Sequence, residues 1–306
     1  MTLLATAATM FMACEKDDPT YSVQVTAAQG GTIEGQSGEY KEGETVVFKA
    51  IPADGYCFSQ WSDGNIDNPR TIKVGKDDIS LTAEFAEPTI ATVDLGLPSG
   101  NLWATCNVGA INPWNYGDYY AWGETLTKDK YNWKTYIYCV YGYPLKFTKY
   151  NDNVRYGTVD SKTTLESADD VATAAFGAEY SMPTLADWEE LAEKCCWVWT
   201  SDYNNHGVGG YMVFLPKTDT DKGAKFYEGD TPSAYSLSDA HIFLPAAGLR
   251  YSASLNGAGC GYYWSSSLYE SDPYGARFCG FDGVSVGPSG DCGRYFGFSV
   301  RPVRRP

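Results

Sequence analysis

The pattern of apolar and polar positions predicts a β-rich first part of the chain. Val23 and Val25 alternate with polar residues, and residues 45–50 and 80–85 carry the β-branched and aromatic side chains that favour strands. Glycines and an Asn-Pro pair separate these runs at positions typical of turns. The pattern therefore predicts a small, mainly β domain over residues 21–86.

The second part, residues 90–306, starts with two predicted helices. Residues 164–176 place Leu, Ala and Val side chains on one face at helical spacing. Residues 184–194 begin with Thr184 as the N-cap and have Asp187 three positions later, the spacing of a capping box.

Short apolar runs after these helices predict strands. They cover residues 210–215, 242–248, 262–266 and 298–303. Helices followed by strands predict an α+β domain in which the helices pack on an antiparallel sheet.

The amino terminus has the pattern of an export signal. Residues 1–13 are apolar and rich in small side chains, and Cys14 follows directly. We expect residues 1–13 to be a signal peptide, Cys14 to be the lipidation site, and residues 14–20 to be a lipidated linker. The alternatives are a truncated membrane anchor or an ordinary signal. No other run is long and apolar enough to cross a bilayer.

Composition and charge exclude several classes of partner. The net charge of −15 argues against nucleic acid, because phosphate binding needs a basic patch. The chain contains 24 Tyr and 9 Trp, and this aromatic content argues against a disordered chain.

The carboxy-terminal segment 268–297 has an unusual composition. It is rich in Gly, Ser, Asp, Tyr and Phe, and between positions 271 and 299 it contains no Lys, Glu, Gln, Met or Trp. Mixtures of Tyr with small polar residues are typical of binding surfaces. We therefore expect ligand contacts from Tyr269, Asp272, Tyr274, Arg277, Gly280, Asp282, Ser285, Asp291, Cys292, Tyr295 and Phe296.

The sequence does not contain a recognisable catalytic or metal site. His206 and His241 have no Cys or carboxylate neighbours at zinc spacing, and no phosphate loop or nucleophile elbow is present. We expect no enzymatic activity and no cofactor. Trp61 is interpreted as a core residue, with a ligand platform as the alternative. Cys106 has Cys195 or Cys196 as a possible disulfide partner, and the sequence does not fix the pairing.

Two resemblances refine these expectations for the two parts of the chain. The order of Gly55-Tyr56 and Trp61-Ser62-Asp63-Gly64 in the first part resembles the divergent internalin-type bacterial repeat. The second part, with YGDYYAWGE, SMPTLADWEEL, IFLPAAGLR and GYYWSSS, resembles the Fibrobacter succinogenes major paralogous domain. That resemblance implies a C-type lectin-like fold with a small sheet and long loops held by the chain ends.

The segments around Cys14 and in the tail have resemblances of their own. Cys14 and the acidic residues 15–18 resemble surface-exposed lipoproteins of Bacteroides-like bacteria, which implies an anchor in the outer membrane. The tail resembles the variable proteins of diversity-generating retroelements, whose adenine-directed codon changes yield Tyr, Ser, Asp and Gly but never Lys, Glu, Gln, Met or Trp.

These observations favour a non-catalytic surface lipoprotein that binds a protein or glycan through the carboxy-terminal face of its lectin-like domain. Two other functions stay open at this stage. One is an enzyme of the formylglycine-generating or glycan-processing type, and the other is a structural subunit of a surface assembly.

Overall fold

The computed structural model describes residues 18–53, 56–86, 90–141, 145–230, 232 and 234–306. The predicted signal peptide and Cys14 lie outside the described residues, as does most of the predicted linker 14–20. Residues 87–89, between the two predicted domains, also lie outside them.

The first part of the chain is built of short antiparallel strands with one parallel pair. Its strands are β1 (Thr20–Ala27), β2 (Gly31–Glu34), β3 (Gly38–Lys41), β4 (Thr45–Pro52), β5 (Cys57–Trp61), β6 (Arg70–Lys73) and β7 (Ile79–Ala86). They form two sheets, ordered β3-β1-β7-β5 and β2-β4-β6. The predicted strands over residues 45–50 and 80–85 are confirmed as β4 and β7.

Trp61 occupies the centre of this small domain. Its side chain is fully buried among Val23, Phe48 and Ala83, and its indole N–H donates to the Asp67 carbonyl at 2.8 Å. The interpretation of Trp61 as a core residue is confirmed, because a fully buried ring cannot serve as a ligand platform.

The second part contains many short strands and two α-helices within the described residues. Its elements are β8 (Thr92–Asp94), β9 (Leu102–Ala104), β10 (Cys139–Val140), β11 (Lys146–Phe147), α1 (Val171–Phe176), β12 (Tyr180–Ser181), α2 (Leu185–Lys194), β13 (Cys196–Thr200), β14 (Gly210–Phe214), β15 (Lys225–Phe226), β16 (His241–Pro245), β17 (Leu249–Tyr251), β18 (Ser254–Asn256), β19 (Gly261–Leu268), β20 (Gly275–Asp282), β21 (Ser285–Gly293) and β22 (Val303–Arg304).

These strands form several small sheets that enclose two large apolar cores and several smaller apolar clusters. The larger sheets are ordered β12-β22-β9-β8, β15-β13-β14-β16 and β19-β20-β21. On β19, Tyr263 points into a core with Trp188 and Phe281, whereas Trp264 points into a second core with Phe298. The sheet that carries the tail is therefore packed on both faces at β19.

Of the two predicted helices, one is confirmed and one is shorter than predicted. Helix α2 follows Thr184, and the Thr184 and Asp187 side chains form the expected reciprocal capping box. Helix α1 starts only at Val171, because the Asp170 side chain caps it by accepting from the amides of Ala172 and Thr173. Upstream of the helix, the backbone of residues 164–165 is instead paired with strand β19.

The predicted strands are confirmed over residues 210–215, 242–248 and 262–266, with shifted ends, as β14, β16 and β19. The prediction for residues 298–303 is wrong, because Phe298 and Ser299 form only isolated bridges and the strand β22 starts at Val303. Pro302 has no amide hydrogen to continue a ladder. The chain as a whole is mostly β-sheet with few helices, so its helical content is lower than the predicted α+β class indicated.

Arg301 links several segments of the second part through buried hydrogen bonds. Its guanidinium is fully buried and donates to the Asn107 side chain at 3.0 Å and to the carbonyls of Ala104 and Phe243 at 2.9 and 2.7 Å. It thereby ties the last residues of the chain to β9 and β16.

The cysteines of the described residues are all free thiols. Cys195 and Cys196 point into separate apolar clusters, and the Cys106 thiol donates to the Ile111 carbonyl at 3.2 Å. The possible disulfide between Cys106 and either of them is therefore not formed.

Candidate ligand-binding surface

Part of the tail meets the middle of the chain in a cluster of partly exposed aromatic rings. This aromatic surface consists of Trp133, Tyr156, Tyr251, Tyr274, Tyr295 and Phe296. Trp133 packs edge-to-face on Tyr274, with ring centroids 5.9 Å apart, and lies 4.6 Å from Tyr295. Tyr156 contacts the other side of Tyr274 at 5.4 Å. The rings brace one another, so their exposed edges are held in place.

The hairpin of β20 and β21 positions the two tail tyrosines of this surface. Gly275 and Gly293 form its last residue pair, and Tyr274 and Tyr295 flank that pair. The Asp272 carboxylate accepts from the Tyr274 amide at 2.9 Å, and the Arg294 amide donates to the Tyr274 carbonyl at 3.0 Å. Both tyrosines therefore emerge from the same end of the hairpin.

Strand β17 adds a third tyrosine. The backbones of Arg250 and Gly297 exchange two hydrogen bonds of 2.7 and 2.9 Å, which places Tyr251 beside the tail. The Tyr251 ring stacks on Phe296 at 5.3 Å, and Phe296 stacks on Tyr295 at 4.5 Å. Tyr251 is 49% exposed.

Arg294 is buried beneath the aromatic surface. Its fully buried guanidinium lies 4.0 Å from the centre of the Phe147 ring and donates to the carbonyls of Lys149 and Tyr150. Its Nε and Nη2 atoms have no hydrogen-bond partner among the described residues. Burial lowers the pKa of Arg294 and raises the pKa of Tyr274 and Tyr295, so both phenols stay neutral at pH 7 and can donate or accept hydrogen bonds.

A second group of predicted contact residues lies elsewhere, beside helix α2. The Arg277 guanidinium is 4.5 Å from the centre of the Tyr269 ring, and Asp291 is its cross-strand partner. Arg277 lines a groove of about 440 Å³ with the side chains of Glu189 and Glu270 and several hydroxyl groups. This groove is polar and is distinct from the aromatic surface.

The predicted contact residues with small or acidic side chains mainly shape the hairpin. Asp282 accepts from the Val284 amide and the Ser285 hydroxyl at the turn, both at 2.9 Å. Cys292 packs against the core that contains Trp264. A Cβ on Gly280 would lie 2.7 Å from the Phe278 ring.

The structure thus brings together only part of the predicted site. Tyr274, Tyr295 and Phe296 share the aromatic surface, while Arg277 lies at the groove. Tyr269 and Asp291 are neighbours of Arg277 and do not line the groove themselves. None of the eleven predicted residues is buried.

Sequence reasoning missed the partners of these tyrosines, namely Trp133, Tyr156 and Tyr251. The density of aromatic residues over positions 131–156 was the available signal, but nothing local indicates that this segment folds against the tail.

Each of the two histidines contacts an aromatic side chain. His206 stacks on Trp114 with ring centroids 3.6 Å apart, and His241 contacts the Tyr203 hydroxyl at 3.0 Å. Across the described residues, no group of three or more His, Cys, Asp or Glu side chains is arranged to hold a metal ion.

Comparison with known protein families identifies one part of the chain. Residues 21–89 match the model of the divergent InlB B-repeat domain, and they form a repeat domain of that kind. No curated protein and no solved structure gives a significant match to the chain.

Helices long and apolar enough to cross a membrane are absent from the part of the chain that the structure describes.

Proposed function

We propose that this protein is a non-catalytic, lipid-anchored protein of the outer cell surface that binds a protein or glycan ligand through its aromatic surface. The observation that carries the proposal is the braced, partly exposed array around Trp133 and Tyr274. Tyr and Trp give large contact area at low entropic cost, and rings already fixed in the free protein lose little freedom on binding.

A C-type lectin-like fold for residues 90–306 forms part of the proposal. It is supported by the pairing of the last strand, β22, with β9, which in turn pairs with β8 near the start of this part. The loops that build the aromatic surface are inserted between these paired ends, as the resemblance to the family implies.

Diversification of the tail by a retroelement is a further part of the proposal. It is supported by the alternation of β21, in which Ser285, Gly287, Ser289 and Asp291 are exposed and the residues between them are partly buried. Codon changes at such exposed positions alter the surface without altering the core.

The proposal is tested with two probe collections on the full chain, a phage-displayed random dodecapeptide library and a glycan array. At least one collection is expected to give a binder. Tyr251→Ala and Tyr274→Ala should weaken its binding about tenfold or more, because truncated aromatic anchors typically cost 2 kcal/mol or more.

Two controls make this test decisive. Tyr251 is exposed, so its truncation should leave the melting temperature unchanged and separate binding from folding. Tyr269→Ala removes a ring that packs on Arg277 of the groove and is not part of the aromatic surface. Binders that respond to Tyr269→Ala and not to Tyr251→Ala or Tyr274→Ala would overturn the proposed surface, as would the absence of any binder in both collections.

A further inference from the structure

The segment that faces the tail has a charge opposite to that of the whole protein. Residues 126–162 contain seven Lys and Arg side chains but only three Asp and no Glu. The chain as a whole has 23 basic and 38 acidic side chains. Basic side chains are therefore concentrated in the same segment that supplies Trp133 and Tyr156.

Some of these cations are neutralised within the protein. Lys128 pairs with Glu124 at 2.7 Å, and Lys149 and Lys162 pair with Glu166 at 2.6 and 2.5 Å. The remaining ones have no acidic side chain within 4.0 Å among the described residues. They are Lys130, Lys134, Lys146 and Arg155.

Three of these uncompensated cations border the aromatic surface, and we call Lys134, Lys146 and Arg155 the basic rim. Lys134 follows Trp133 directly, and its ammonium lies 5.2 Å from the centre of the exposed Tyr141 ring. The Arg155 guanidinium lies 5.6 Å from the centre of the Tyr156 ring. The Lys146 ammonium donates to the Arg155 carbonyl, which holds the two cations together. Within the segment the exposed acidic residues are Asp152 and Asp129, and Asp129 pairs with Lys49 at 3.3 Å. Asp272 is exposed two positions before Tyr274 in the tail, so the three cations of the rim outnumber the carboxylates of Asp152 and Asp272.

Exposed aliphatic side chains lie along the same rim. Val154 is 81% exposed beside Arg155, and Val140 is 59% exposed and is the cross-strand partner of Lys146. Ile137 is 61% exposed. Aromatic and aliphatic side chains surrounded by charge are the composition of a protein–protein interface, whereas a polysaccharide offers no apolar side chains to cover valines.

We infer that the ligand of the aromatic surface is an acidic polypeptide segment with apolar side chains. Its carboxylates face Lys134, Lys146 and Arg155, and its apolar residues cover Val140, Val154 and the exposed ring edges. Charge complementarity of this kind raises the association rate and selects among partners. The inference rests on the proposed function, because it names the ligand of the same surface.

The test uses three labelled dodecapeptides with the repeats Glu-Glu-Leu, Gln-Gln-Leu and Lys-Lys-Leu, together with polygalacturonate as an anionic polysaccharide. Fluorescence anisotropy on the full chain measures each Kd. We expect the acidic peptide to bind about tenfold or more tightly than the neutral one, and the basic peptide not to bind. Raising NaCl from 50 to 300 mM should weaken the acidic complex several-fold, because salt screens exposed charges.

Charge-reversal variants locate the interaction. Lys134→Glu and Arg155→Glu should each weaken binding of the acidic peptide about tenfold. Lys194→Glu makes the same change of net charge on helix α2 and should have no effect. Equal affinity for the acidic and neutral peptides, tighter binding of polygalacturonate than of the acidic peptide, or no binding of any probe would overturn the inference.

The design also separates this inference from the proposed function. A peptide that binds regardless of charge but is lost in Tyr251→Ala and Tyr274→Ala keeps the proposed surface and overturns the acidic ligand. Acidic-peptide binding that persists in both tyrosine variants overturns the proposed surface itself.

Discussion

Two buried arginines, Arg294 and Arg301, have their charges stabilised in different ways. Both side chains are fully buried, and neither has a carboxylate within 4.0 Å among the described residues. Arg301 is satisfied by carbonyl and amide oxygens, whereas Arg294 relies on aromatic faces and two carbonyls. Hydrogen bonds to a charged group are worth more than those between neutral groups, so Arg301 is the more strongly held.

We expect Arg301→Met to destabilise the protein by about 3 kcal/mol or more. Methionine fills similar space but leaves the acceptors on Ala104, Asn107 and Phe243 buried without donors, and each orphaned group costs about 1–3 kcal/mol. Urea unfolding measures the loss. Arg304→Met is the control, since its side chain is 40% exposed and lies 4.0 Å from Glu179; it should change stability by less than about 1 kcal/mol. Equal effects of the two variants would contradict the role given to Arg301.

Among the secondary-structure elements, helix α2 has a start that is fixed both by its local sequence and by tertiary contacts. Asp187 closes the capping box with Thr184, and its carboxylate also accepts from the Asn101 amide at 2.7 Å and from the Arg305 guanidinium at 3.0 and 2.9 Å. A single carboxylate thus fixes the start of the helix to two distant segments.

The charge on Asp187 makes the stability of this element depend on pH. Burial raises its pKa, but the hydrogen bonds from Arg305 and Thr184 outweigh burial and lower it below the usual 3.8. The stabilisation is therefore present above about pH 4 and is lost as pH falls through the lowered value.

We expect Asp187→Asn to cost about 2 kcal/mol or more at pH 7 and less at pH 3, because at pH 3 the carboxyl of the unfolded wild-type chain is largely protonated and the preference of the folded state for the charged form contributes less. Urea unfolding at pH 3, 5 and 7 measures the difference between wild type and variant. Glu189→Gln, on an exposed position of the same helix, should behave like wild type throughout. A difference that does not change with pH would show that the charge of Asp187 contributes nothing.

Elements with a local signal were predictable, and those without one were not. Helix α2 was found because its cap and its apolar face lie within a few residues of each other. Strands β20 and β21 were missed because glycines interrupt their pattern and their pairing partner β19 determines them. Tyr274 and Tyr295 were correctly expected to be accessible, but Trp133 joins them only through the folding of a segment about 140 positions away.

For the whole molecule, the contrast between a net charge of −15 and the basic rim bears on the proposed role at the cell surface. Like charge keeps copies of the protein apart, while the rim leaves one region able to attract an acidic partner. This arrangement fits a protein held at a membrane by one end, with its binding surface in the second part of the chain.

The proposed anchor gives a prediction for the whole chain. Cys14→Ser should remove the lipid, so the protein should move from the membrane fraction to the soluble fraction and lose the acyl mass from its intact mass spectrum. Cys260→Ser, which changes a partly exposed thiol in the second part of the chain, should leave both properties unchanged. Retention of the Cys14→Ser variant in the membrane fraction would contradict lipid anchoring through this residue.

The alternation of exposed and partly buried positions along β21 has a consequence for immune recognition. Antibodies against this part of the protein would reach the exposed residues Ser285, Gly287, Ser289 and Asp291, whereas the inner row, with Val286 and Cys292, packs against the two cores. Natural variants that differ only in the exposed row should share one backbone and yet be distinct antigens. Antibodies raised against this row of one variant would then fail to recognise another variant of identical fold.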